Sequence, residues 1–148
     1  MLFRSSVLQV VCGTNEEALS LIQNLAWEDP RIQPLGQVTP LHNLMREADL
    51  VITGEGKVDS QVLQGKVVGG CCKGLSAAGS SAMGKRLWLM CGKSEIAEED
   101  LRKIAGDIDV SIFQMADIEP DMKVRMSNEH ALMRRLAYLA AKELDGHL

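Results

Sequence analysis

Short apolar runs alternate along this chain with stretches of helical periodicity, and this alternation constrains the fold more than any other feature. Strands are predicted at Val7–Cys12, Asp49–Thr53, Leu87–Cys91 and Val110–Phe113. The first three runs each end just before a glycine, which is typical of a strand followed by a turn. Strands that alternate with helices form a parallel sheet covered by helices on both faces. The sequence therefore predicts an α/β fold with three layers.

The predicted helices carry apolar residues on one face, and several begin at a capping signal. These signals are Thr14 with Glu17, Thr39 with Pro40, Ser94 and Ser127. Another helix is predicted between Ser60 and Ala78, although Gly69 and Gly70 in its middle weaken helical continuity. The stretch after Asp29-Pro30 is predicted to be a polar connection, and Met115–Met126 to be irregular.

The length of 148 residues suits one domain. No convincing boundary divides the chain, and Trp27–Gln37 is the only candidate linker. We therefore predict a single α/β domain over residues 1–148.

The charge balance argues against a nucleic-acid partner. The chain has 16 Lys and Arg against 20 Asp and Glu, a net charge of −4, whereas phosphate backbones require clustered positive charge. Aromatic residues make up only 3%, too few for a stacking platform. The N-terminus lacks signal-peptide features, and the longest apolar run, Leu87–Cys91, is too short to span a bilayer. We expect a cytoplasmic protein without a membrane partner.

The four cysteines do not suggest a metal site or a disulfide framework. Cys71 and Cys72 are adjacent, no CxxC motif occurs, and the three histidines lie far apart. Reduced, buried thiols are the expected state.

The segment after the strand Asp49–Thr53 carries the richest chemistry. Ligands of parallel sheets bind at the carboxyl ends of strands, and this segment contains Gly54, Glu55, Gly56, Asp59, Gln61 and Lys66. Glycines let a backbone approach a ligand closely, carboxylates hold Mg²⁺ or accept a proton, and a lysine neutralises phosphate oxygens. A loop of solvated charges remains the alternative at this point.

Two further segments resemble phosphate-binding loops. Gly79–Lys85 lacks the following Ser or Thr, since Arg86 stands there, and it precedes a strand rather than a helix, so a turn is predicted. Cys91–Ser94 has the expected strand-to-helix context. Gly92 and Ser94 are therefore candidates for binding an anion through backbone N–H groups.

Ala48–Gly56, followed by Asp59-Ser60-Gln61 and Gly65-Lys66, closely resembles the signature of the bacterial type I glycerate kinases. The resemblance continues through Gly84-Lys85, the strand Leu87–Cys91 with Gly92, and the C-terminal helix, and it covers residues 48–148. We assign residues 37–148 to this glycerate kinase-like region and find no match for residues 1–36. The resemblance implies one Rossmann/flavodoxin-like half of a kinase whose site lies between two α/β domains.

This resemblance implies ATP- and Mg²⁺-dependent phosphorylation of D-glycerate, giving 2-phosphoglycerate in type I enzymes. It places Gly54, Glu55, Gly56, Asp59, Gln61 and Lys66 in the site. We expect Asp59 to orient the substrate hydroxyl or Mg²⁺ and Lys66 to contact phosphate or the glycerate carboxylate. Glu55 would hold a magnesium-bound water or brace the loop.

Several positions depart from the family pattern. Lys57 stands where the family usually has arginine, and Val68 and Arg86 stand where prolines are common. The kinases are also much longer, and this chain resembles only their C-terminal part. We therefore expect a truncated or split kinase that acts with a companion chain or as a homo-oligomer. The alternatives are a non-catalytic module that binds a small anion or nucleotide, and a structural remnant.

Overall fold

The computed structural model describes residues 6–64, 67–77 and 84–146. The chain divides into two compact units, the first ending at Leu41 and the second beginning at His42. The strands are β1 (Leu8–Val11), β2 (Ile32–Leu35), β3 (Leu50–Val58), β4 (Arg86–Ser94) and β5 (Asp109–Gln114). The helices are α1 (Glu16–Glu28), α2 (Leu41–Glu47), α3 (Val67–Ser76), α4 (Glu98–Ala105), α5 (Met122–Ser127) and α6 (Glu129–Gly146), with 3₁₀ turns at Ser60–Gln64 and Met115–Asp117.

The first unit is a β1–α1–β2 unit with two parallel strands. Leu8 pairs with Ile32, so the predicted polar connection after Pro30 in fact contains a strand. The Cys12 N–H donates to the Leu35 carbonyl at 2.8 Å, which shows that pairing with β1 stabilises this short strand. The helix begins one residue later than predicted, because Asn15, rather than Thr14, accepts a hydrogen bond from the Ala18 N–H.

The second unit contains a three-stranded parallel sheet in the order β3-β4-β5. Alternate residues of β4 face opposite sides, so Leu87 and Leu89 join one core while Trp88 joins the other. Helices α3 and α4 pack on the first face, through Leu75 and Leu101 among others. On the second face α6 contributes Leu136 and Ala140, which cluster with Trp88 and Phe113. The predicted α/β fold with helices on both faces is confirmed.

The later helices differ from their predicted starts. The N-cap of α4 is Ala97, not Ser94, and Ser127 is the last residue of α5 rather than the cap of α6. Part of the stretch predicted as irregular forms α5, whose N-cap Asp121 accepts hydrogen bonds from the Lys123 and Val124 N–H groups. Within the part of the chain described above, no helix is both long enough and apolar enough to cross a bilayer.

Helix α3 is continuous through its two glycines, contrary to the doubt that they raise in the sequence. A Cβ on Gly69 would collide with the carbonyl oxygen of Val62, in the preceding 3₁₀ turn. The same atom on Gly70 would meet nothing within 4 Å among the residues described. Gly69 thus allows two backbone segments to approach closely, whereas no atom of the described residues outside the helix restricts Gly70.

Replacing these two glycines by alanine should therefore change the free energy of unfolding in opposite directions. We expect Gly70→Ala to raise the free energy of unfolding by about 0.5–1 kcal/mol, because alanine loses less backbone entropy in a helix. Gly69→Ala should lower it by about 1–3 kcal/mol, since the helix must move away from Val62. Urea titrations of both variants measure the difference, and destabilisation of equal size in both would contradict it.

Candidate functional site

The carboxyl ends of β3 and β4 lie side by side in the second unit. Glu55 pairs with Cys91, and Lys57 pairs with Lys93. The stretch from Gly54 to Lys57 is therefore strand, not the glycine-rich loop that the sequence predicts. Strand β4 likewise continues past Cys91 to Ser94.

The glycines at this end serve strand packing. A Cβ on Gly92 would lie 2.5 Å from the Gly56 carbonyl oxygen, and one on Gly54 would lie 3.3 Å from the Met90 carbonyl oxygen. At Gly56 the position of an added Cβ has no neighbour within 4 Å in the described part of the chain. Gly56 therefore leaves open space at the predicted site, while Gly92 lets the two strands approach each other.

Asp59 follows the last residue of β3 and is held by its own turn. Its Oδ1 accepts a hydrogen bond from the Gln61 N–H at 3.0 Å, and its carbonyl accepts one from the Val62 N–H at 3.0 Å. The half-buried side chain is thereby oriented by backbone donors at the start of the 3₁₀ turn. Glu55, four positions earlier, is also half-buried, and the Gln61 side chain is exposed.

Lys57 has a partner in the segment after β4. Its Nζ lies 3.0 Å from Glu95 Oε1, and this carboxylate raises the pKa of Lys57, with a smaller contribution from Asp59. The Glu95 N–H donates to the Val58 carbonyl at 2.7 Å. Lys57, the basic residue nearest to Asp59 in the sequence, therefore forms an ion pair with Glu95.

Ser94 is bound within the protein rather than presented to a ligand. Its N–H donates to Gln114 Oε1 at 2.9 Å, and its hydroxyl donates to the Ile96 carbonyl at 2.8 Å. Gln114 Nε2 in turn donates to Asp117 Oδ1 at 3.0 Å. Gln114 and Asp117 are not among the site residues predicted from the sequence, although their position just after the predicted strand Val110–Phe113 is a signal that could have identified them.

Buried thiols lie beneath this end of the sheet. Burial raises the pKa of Cys91 to about 11, with a further contribution from the Asp117 carboxylate. Burial also raises the pKa of Cys72 to about 11 and that of Cys71 in the same direction. Cys12, in the first unit, is half-buried. The three buried thiols are packed side chains of the second unit's core.

The structure describes only part of the segments that contain Lys66 and the predicted turn Gly79–Lys85. Lys66, with Gly65, lies outside the described residues, and so do residues 79–83 of the segment that resembles a P-loop. Lys85 at the end of that segment is only 8% exposed, and its Nζ donates to the Arg46 and Ala48 carbonyls, both at 2.6 Å. Lys85 thus holds the end of α2 rather than an anion.

Carboxylates near the end of β3 are of the ligand type that magnesium prefers. Among the described residues no cluster of three or more His, Cys, Asp or Glu could enclose a metal. Mg²⁺ in kinase sites uses one or two carboxylates, with phosphates and water completing its shell. Glu55 and Asp59 can supply those carboxylates from the end of β3.

Comparison with known proteins places this arrangement in a family. The model of the glycerate kinase family matches residues 18–145. The match includes residues 18–36, for which the sequence predicted no resemblance, so that prediction is wrong for this stretch. A glycerate kinase of Halalkalibacterium halodurans is 43% identical over 44 residues, which are 30% of this chain and 12% of that protein.

A second relative is the uncharacterized protein slr1840 of Synechocystis, which is 31% identical over 105 residues, 69% of this chain and 25% of that protein. The matched parts of this chain thus span a quarter or less of these relatives. No solved structure matches. Because the family model matches most of its length, the chain belongs to the glycerate kinase family.

Proposed function

We propose that this chain supplies part of an ATP-dependent D-glycerate kinase site at the carboxyl end of β3. The reaction would transfer a phosphoryl group from ATP to a glycerate hydroxyl and give phosphoglycerate. The observation that carries the proposal is the placement of Glu55 and Asp59 at this strand end, within the family match. Since ATP is the proposed phosphoryl donor, we propose that this protein is located in the cytoplasm.

Different residues of the site would position the substrate and stabilise the charge of the phosphates. Asp59, oriented by the Gln61 N–H, would hold Mg²⁺ or accept the hydrogen bond of the substrate hydroxyl. Glu55 would bind a magnesium-bound water, and Lys66 would contact phosphate or the glycerate carboxylate. Magnesium, when bound, neutralises charge on the phosphates. The open space at Gly56 would let a ligand approach the backbone.

The remaining wall of the site would come from sequence that these 148 residues do not include, and a companion chain or a second copy of this chain could supply it. A kinase cleft needs two walls to align its reactants and exclude water, and this chain matches only a fraction of its relatives. In the first unit none of residues 6–41 is buried, and α1 leaves Leu21 and Leu25 at least half exposed and Trp27 92% exposed. These uncovered apolar side chains support a companion chain or self-association.

The test is a coupled ADP-release assay with ATP, Mg²⁺ and D-glycerate, combined with calorimetric titration of Mg·ATP. We expect Asp59→Asn to weaken Mg·ATP binding at least about tenfold, or to lower turnover about 10²-fold where turnover occurs, because the oriented carboxylate is lost. The matched control is Asp107→Asn, an exposed carboxylate at the opposite end of the sheet.

Equal effects of the two substitutions would contradict the proposed role of Asp59. A folded chain that binds neither ATP nor D-glycerate would contradict the kinase site itself. The chain could also bind Mg·ATP without releasing ADP when D-glycerate is present, both alone and after addition of a related protein. That result would instead favour the non-catalytic nucleotide-binding module.

A further inference from the structure

A groove of about 640 Å³ runs beside β5, the outer strand of the second unit's sheet. Its apolar lining includes Phe113, Ile118 and Leu139, and carboxylates of Glu98, Asp117 and Glu143 border it. Glu55 and Asp59 are not among its lining residues. We call it the β5 groove, and none of its lining residues takes part in the proposed phosphoryl transfer.

Among the described residues that line the β5 groove, the ionisable side chains are those of Glu98, Asp117 and Glu143. Glu98 is paired with Arg102, whose Nη2 lies 3.2 Å from Glu98 Oε2, so Asp117 and Glu143 carry the negative charge that a partner would meet. An apolar surface bordered by carboxylates complements a partner that carries apolar side chains flanked by positive charge. Leu139 is 42% exposed on this surface, so part of the apolar lining is available to such a partner.

The backbone of β5 already has partners along this edge. The Ile112 N–H donates to Glu98 Oε1 at 2.8 Å, and the Val110 carbonyl accepts from Arg102 Nη2 at 3.1 Å. An added strand would have to displace both side chains of α4 before it could pair with β5. Side-chain docking of a helix needs no such displacement, because a helix satisfies its own backbone.

We propose that the β5 groove binds an amphipathic helix of another polypeptide, whose apolar stripe is flanked by lysine or arginine. The apolar stripe packs on Phe113, Ile118 and Leu139. The basic residues of the helix meet the carboxylates of Asp117 and Glu143. This interaction is independent of the kinase site, and it is measured without ATP or glycerate.

The experiment measures fluorescence polarisation of a labelled synthetic peptide of about 18 residues, with leucine at helical spacing and lysine elsewhere. The groove variant is Leu139→Asp with Glu143→Lys. The control variant is Tyr138→Asp with Glu129→Lys, which changes the net charge equally on α6 outside the groove lining. We expect saturable binding that is at least tenfold weaker in the groove variant and unchanged in the control, with slower hydrogen exchange over residues 111–118.

Four results would overturn the proposal. Equal loss in both variants, or equal binding of a scrambled peptide of the same composition, would show unspecific attraction to an acidic protein. Self-association that protects residues 111–118 and is abolished by the groove variant would identify a second copy as the occupant. Preferential binding of an extended peptide, with Glu98 and Arg102 released from β5, would indicate strand addition.

Discussion

Gly92→Ala is expected to lower the free energy of unfolding of the second unit by about 3 kcal/mol, at the upper end of the usual cost of overpacking. The added Cβ would lie 2.5 Å from the Gly56 carbonyl oxygen, which belongs to the neighbouring strand backbone. Because backbone cannot rotate away as a side chain can, β3 and β4 must separate at the end where Glu55 and Asp59 lie. Urea titration followed by circular dichroism measures the loss.

Gly56→Ala is the matched control for this prediction. It adds the same methyl group to the adjoining strand, where no atom among the described residues lies within 4 Å. We expect its free energy of unfolding to stay within about 1 kcal/mol of the unsubstituted chain. If the two substitutions destabilise equally, the close approach of β3 and β4 at Gly92 is wrong.

Lys85→Met is expected to lower the free energy of unfolding by about 3 kcal/mol, because charge-assisted hydrogen bonds are worth about 1.5–3 kcal/mol each and burying the charge offsets part of that. The Lys85 ammonium donates to two carbonyls, those of Arg46 and Ala48, at the junction of α2 and β3. Methionine fills similar space but leaves both acceptors without this donor. Thermal and urea unfolding measure the effect.

Lys93→Met provides the comparison within β4, the strand that begins directly after Lys85. The Lys93 side chain is exposed, so its replacement should change the free energy of unfolding by less than about 0.5 kcal/mol. A Lys85→Met variant as stable as Lys93→Met would show that Lys85 does not hold α2.

Prediction from the sequence failed chiefly where a distant partner decides the outcome. Strand β2 contains Pro34, which cannot donate to a ladder, and only its pairing with β1 shows it to be a strand. Gly54 and Gly92 resemble strand ends by propensity, yet both lie inside strands. Ser94 precedes a helix and resembles a cap, but its N–H is bound by Gln114, twenty positions away.

The candidate site shows the same division. The apolar run Asp49–Thr53 predicted Glu55 and Asp59 just beyond a buried strand, but Glu55 lies inside β3 and Val58 is the one buried residue of that strand. Asp59 does follow the last residue of β3. Neither the Lys57–Glu95 ion pair nor the link from Gln114 to Asp117 has a signature in local sequence. The catalytic or binding roles of Glu55 and Asp59 stay predictions, and the assays described above test the role of Asp59.

By itself, the sequence determined the α/β alternation and the parallel sheet with helices on both faces. These features depend on apolar periodicity, which is local and repeats within a few residues. The tertiary structure alone decided where strands stop, which glycines the packing requires and what Lys85 and Ser94 bind. Those outcomes depend on contacts between residues far apart in the chain, whose geometry no local pattern encodes.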